Sequence, residues 1–175
     1  MNILIVVDMQ NDFLTGPLGN KECINTIPFV RNEILSQKYS KIIFTQDTHH
    51  EDYLNTQEGR NLPIKHCIEG TYGWNIEQTL LDAAQQSKIE HCCVKKPTFG
   101  SMDLLHLLGQ LTPNDEITLV GVCTGICVLS NATILKANYP ENKINVIAQA
   151  CACVTKETHE NALNAMKLIQ INIIE

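Results

Sequence analysis

The chain has 175 residues, 44% of them apolar, with 13 basic against 19 acidic side chains and a formal net charge of −6. That length predicts one domain, spanning 1–175, with a core large enough to fold without disulfides. The acidic balance supplies no electrostatic footprint for nucleic acid, and the apolar opening run stops at Asp8, too short for a signal peptide or a membrane span. A cytoplasmic protein with neither nucleic-acid nor membrane partners is expected.

Taken in chain order, apolar β-branched runs at 3–9, 41–45, 91–94, 117–122, 144–148 and 171–174 predict six short strands. They read as nearly continuous hydrophobic runs, the pattern of strands covered on both faces. Helices are predicted between them at 24–37, 75–86, 102–108, 124–137 and 155–168, the last with Ala162, Leu163, Ala165, Met166 and Ile169 near helical spacing. Strand followed by helix, repeated, predicts an α/β fold with a mostly parallel sheet and helices on both faces. Two stretches break the rhythm: 11–21, which carries Gly16, Pro17 and Gly19, and a long polar segment at 48–72. A loop that long in a compact domain points to function.

The eight cysteines are Cys23, Cys67, Cys92, Cys93, Cys123, Cys127, Cys151 and Cys153. None forms a C-x-x-C pair, so neither a zinc finger nor a thioredoxin-type motif fits, and most are expected to be reduced and to pack as small hydrophobes.

In open parallel sheets ligands sit beyond the carboxyl ends of the strands. Strand one ends at Asp8, strand two at Asp47 with His49 just after, strand three at Lys95 and Lys96, and strand four runs into Cys123 and Cys127. Successive strand residues face opposite ways, so only one of the two lysines faces the site. Cys127 falls in the first turn of a helix, where free N–H groups and the helix dipole favour a thiolate, and Lys96 is expected to lower its pKa further. It is the candidate nucleophile, with Asp8 as proton acceptor and the backbone N–H groups of Cys127 and Cys123 as oxyanion donors. Cys123 is the competing nucleophile. Asp47, His49 and His66 suit Zn²⁺, Fe²⁺ or Mn²⁺, although spacing alone fits a structural role equally.

These residues resemble the isochorismatase-like cysteine hydrolases, and within them the nicotinamidase branch. Val6-Val7-Asp8-Met9-Gln10-Asn11-Asp12-Phe13 resembles the opening strand with its catalytic aspartate. Thr45-Gln46-Asp47-Thr48-His49 and the segment from Pro63 through His66 to Gly73 resemble the metal-binding segments; Lys96-Pro97-Thr98-Phe99 and Gly121-Val122-Cys123-Thr124-Gly125-Ile126-Cys127-Val128 resemble the lysine and nucleophile segments. The resemblance implies a three-layer fold around a six-stranded parallel sheet, a homo-oligomer, and a cis peptide between Val122 and Cys123. It also implies hydrolysis of a small-molecule amide, nicotinamide to nicotinate and ammonia, through a thioester on Cys127. Asp47, His49 and His66 would hold a divalent metal, zinc first, that fixes the pyridine ring. Gly125 stands where the family usually has aspartate, His50 replaces a common proline, and Tyr53 replaces a frequent further histidine. These departures leave open another amide, carbamoyl or ureido, or a non-catalytic small-molecule binding domain. Phe13, Trp74 and Phe99 are candidates for an aromatic pocket, with ordinary packing as the competing reading.

Overall fold

The computed structural model describes residues 1–175. In chain order the elements are β1 (Asn2–Val7), α1 (Asn11–Leu14), α2 (Lys21–Asn25), α3 (Ile27–Leu35), β2 (Lys41–Asp47), a 3₁₀ turn (Tyr53–Asn55) and α4 (Gln57–Asn61). There follow α5 (Gln78–Ser87), β3 (Glu90–Lys96), α6 (Asp103–Leu108), β4 (Glu116–Val122), a π turn (Thr124–Val128), α7 (Leu129–Asn138), β5 (Lys143–Ala152), α8 (Lys156–Leu168) and β6 (Asn172–Ile174). The six strands form one parallel sheet in the order β3-β2-β1-β4-β5-β6. Winding reverses between β1 and β4, and it is beyond the strand ends at such a reversal that a crevice opens.

Alternation along β1 explains its unbroken apolar run. Ile3, Ile5 and Val7 face one cluster, with Leu104 and Leu108 of α6, Leu135 of α7 and Leu163 and Met166 of α8. Leu4 and Val6 face the other, with Val30 and Ile34 of α3 and Leu80 and Ala84 of α5. Both faces are covered, as the sequence pattern predicts.

The boundaries differ from expectation where side chains compete for the backbone. The helix expected at 24–37 is two, because the Thr26 hydroxyl bonds back to Cys23 O and Pro28 is tolerated only in a first turn. The helix expected from 75 begins at Gln78, where Glu77 caps Leu80 N. β5 runs to Ala152, past polar Gln149, with a register shift against β4 between Leu119 and Gly121. The 48–72 segment is not structureless, since Thr56 caps α4 through Gly59 N. All eight cysteines are free. No helix is long and apolar enough to cross a membrane.

Gly121 sits at φ 115°, and a Cβ there would lie 2.1 Å from Val7 O. Gly121→Ala is therefore expected to destabilise the protein by about 3 kcal/mol or more. Urea unfolding checks this, and an unchanged midpoint would show that β1 and β4 separate without cost.

Candidate active site

The strand ends bring the predicted residues to one place. Asp8 is the first residue beyond β1, at φ 47°. Its N–H donates to Thr45 Oγ1 at 3.1 Å, and the Thr45 hydroxyl donates to Asp8 Oδ1 at 2.6 Å. Lys96, the last residue of β3, is fully buried. Its Nζ lies 2.7 Å from Asp8 Oδ2, 3.0 Å from Asp47 Oδ1 and 3.6 Å from Cys127 Sγ, and it donates to Thr98 O at 3.1 Å. The Asp8 contact is close but not aligned as a hydrogen bond, so Oδ2 keeps an open acceptor position. Strand alternation sends Lys95 outward, where it pairs with Glu69 at 2.5 Å and lies over the Trp74 ring.

Cys127 lies in the π turn after β4, and the peptide between Val122 and Cys123 is cis. Ile126 and Val128 N–H both donate to Cys123 O, at 3.0 and 3.2 Å, closing the turn. A Cβ at Gly125 would meet Ala162 Cβ at 3.4 Å and Cys153 Sγ at 3.6 Å, ordinary contact distances.

The electrostatics correct one expectation. Burial, then the Asp8 charge, and further the Asp47 charge raise the Cys127 thiol well above its usual range, and Lys96 only partly offsets them. The proton rests on sulfur. Burial also raises Asp8 against the opposing Lys96 charge, which makes it a stronger base than an exposed carboxylate. Lys96 is pushed down by burial but up by Asp8, Cys127 and Asp47, and the charges win, so it is a permanent cation.

Asp47, His49 and His66 are all buried, and one ligand atom from each lies within 4.8 Å of the others. His66 Nδ1 bonds Ile64 O at 2.8 Å, which leaves Nε2 as its free lone pair. His49 Nε2 is 3.0 Å from Asp47 Oδ2 yet has no hydrogen-bond partner. Burial raises Asp47, but the close His49 contact and the Lys96 charge outweigh it and keep the carboxyl ionised. An ionised carboxylate, a directed imidazole and an orphaned buried nitrogen fit a divalent cation. Glu58, unnoticed in the sequence, has Oε1 3.6 Å from His49 Nε2 and 3.9 Å from His66 Nε2. Tyr53 packs on both histidine rings, at 4.7 and 5.0 Å, and His50 is exposed.

A cavity of about 420 Å³ opens onto Cys127 and Cys123 on one side and Asp47, Glu58 and His66 on the other. Phe13 and Phe99 line it, with Leu18, Leu62, Ile126 and Val154. Trp74 does not line it, which corrects the expectation. Its indole donates to Thr48 Oγ1 and its carbonyl accepts from Gln10 and Gln46, so it belongs to the loop beneath.

Supporting polar groups were also missed. The Gln10 amide accepts from Asp47 N–H at 2.7 Å and donates to Asp47 O at 2.8 Å. Asp12 accepts from Cys67 N–H, beside His66, at 2.7 Å. Asn131 donates to Cys127 O at 2.8 Å and accepts from Ser101 N–H at 2.9 Å. Only their ordinary polarity shows in the sequence.

Removing the buried ammonium leaves two buried carboxylates without a cation. Lys96→Met is expected to lower metal-free stability at pH 7 by about 3–5 kcal/mol. Without Lys96 the folded carboxylates titrate above their unfolded values, so the folded state binds more protons and the deficit shrinks as pH falls. Urea unfolding at pH 7 and pH 5 checks both points; a deficit that grows on acidification contradicts them.

The isochorismatase domain matches residues 2–175 of the chain. The nicotinamidase of Saccharomyces cerevisiae is 26% identical over 178 residues, covering 75% of this chain and 80% of that one. The nicotinamidase/pyrazinamidase of Bacillus subtilis superposes with a TM-score of 0.84 at 24% identity over 99% of both chains. The pyrazinamidase of Pyrococcus horikoshii, solved in complex with zinc, gives 0.75 at 24% identity, covering 99% of this chain and 98% of that one. The domain match spans nearly the whole chain and the sheet agrees with it: the chain belongs to the isochorismatase family.

Proposed function

We propose that the protein is a cysteine-dependent amidohydrolase that converts nicotinamide and water to nicotinate and ammonia. The observation that carries this reading is Lys96 Nζ set 2.7 Å from Asp8 Oδ2 and 3.6 Å from Cys127 Sγ at the edge of an aromatic-lined cavity. Phe13 and Phe99 offer flat apolar walls to a pyridine ring, with the carboxamide toward Cys127.

Asp8 takes the proton from Cys127 as the sulfur attacks the amide carbon, and the raised carboxyl is suited to hold it. Lys96 neutralises charge at both atoms without losing its proton. The N–H groups of Cys123 and Cys127 would serve as the donors to the developing oxyanion. Asp8 returns the proton to the departing ammonia, leaving a thioester on Cys127, and then deprotonates the water that hydrolyses it. Asp47, His49 and His66 would hold a divalent ion, with zinc first by ligand type, and that ion would supply Lewis acidity to fix the pyridine ring.

Ammonia release from nicotinamide tests the assignment. Cys127→Ala is expected to abolish turnover, and Asp8→Asn and Lys96→Ala to lower kcat by about 10²–10⁴-fold. Unchanged turnover in these variants removes the proposal, whereas hydrolysis of carbamoyl or ureido compounds in place of nicotinamide keeps the chemistry and replaces the substrate. Reaction of no amide in such a panel would leave a binding domain. Chelation of the metal is expected to raise KM for nicotinamide, with recovery on adding Zn²⁺; equal kinetics in both states would exclude a metal role in binding. Size-exclusion chromatography with light scattering checks the expected homo-oligomer, which a monomer at micromolar concentration would refute.

A further inference from the structure

Three thiols outside the Asp8, Lys96 and Cys127 group meet beyond the ends of β4 and β5. Val122 pairs with Ala152 as the last residue of each strand, so Cys123 and Cys153 are the next residues on two neighbouring parallel strands. Neighbouring strands run about 4.8 Å apart, and a disulfide needs Cα atoms about 4.4–6.8 Å apart. The Cys123 side chain lies beside Cys153 and beside Cys23 of α2, near enough for each to shift its titration.

Their surroundings differ. Besides Cys123, the main-chain N–H groups of Gly125 and Val154 are directed at the Cys153 sulfur. With the Cys123 thiol as leading donor, and against burial, they hold Cys153 at about 5. Cys123 is held far above its ordinary value by its contacts with Cys153 and Cys23 and by burial, its single S–H proton serving one neighbour at a time. Cys153 also lines a second cavity, of about 280 Å³, whereas Cys123 lines the cavity that holds Cys127. The two residues therefore line different cavities.

We propose that Cys123 and Cys153 are a modification site, forming a reversible disulfide when the protein meets a peroxide-class oxidant. The Cys153 thiolate attacks one peroxide oxygen, the O–O bond breaks, and a sulfenic acid and hydroxide result. The Cys123 sulfur then attacks the sulfenic sulfur; an S–S bond forms, and the Cys123 proton leaves with the sulfenic hydroxyl as water. An external dithiol reverses the step by exchange. Cys127 reacts later, because its proton stays on sulfur while Cys153 is already a thiolate.

The test treats the purified full chain with one equivalent of hydrogen peroxide at pH 7, then quenches under denaturing conditions with N-ethylmaleimide. Non-reducing tryptic mapping is expected to show Cys123 joined to Cys153, Cys127 still labelled, and the link lost after dithiothreitol. Cys153→Ser is expected to leave Cys123 labelled under the same treatment. Labelling of both Cys123 and Cys153 in the oxidised wild type, oxidation of Cys127 ahead of them, or a link from Cys123 to Cys23 overturns the proposal. Because the readout is a covalent mass, its failure leaves amide hydrolysis untouched, and the converse holds.

Discussion

A fully buried ammonium is the constraint on which the rest of this structure depends. An isolated cation in the interior costs several kcal/mol, and only close, correctly placed opposite charge offsets that. Lys96 receives two carboxylates and a carbonyl, from Asp8, Asp47 and Thr98. Those partners come from the ends of different strands, and the order β3-β2-β1-β4 puts the contributing ends side by side. A sheet with β1 at its edge would separate them, so topology and charge balance are one requirement.

The same cluster links two chemistries. Asp47 directs one oxygen to Lys96 and the other toward the histidines, while Gln10 holds its main chain from both sides. Magnitudes decide the resting state of Cys127. A helix terminus contributes about 0.3–1 kcal/mol to a nearby charge, less than one pKa unit, whereas full burial shifts a group by up to about 3–5 units. Burial therefore prevails over the dipole and keeps the sulfur protonated until a substrate and Asp8 share the proton.

Much of this was legible in the sequence because strand periodicity and strand-end chemistry are local signals. Asp8, Asp47 and Lys96 each terminate an apolar run, and alternation alone requires that Lys95 and Lys96 part. The candidate ligand set was legible as a carboxylate and two imidazoles, Asp47, His49 and His66, on one long loop. What stayed hidden depends on tertiary placement. Glu58 reaches the histidines from a short helix inside a segment read as a loop, and Asn131 grips the nucleophile turn from the next helix. Trp74 was misplaced because an indole serves a loop as well as a pocket, and only its bond to Thr48 distinguishes the two.

The surroundings of Gly125 have an evolutionary corollary. A Cβ there would touch Ala162 and Cys153 at ordinary distances, so a longer side chain meets those two residues first. Positions 125, 153 and 162 should thus drift together across relatives, so that a lineage carrying a carboxylate at the first would be found to have vacated the sulfur's berth.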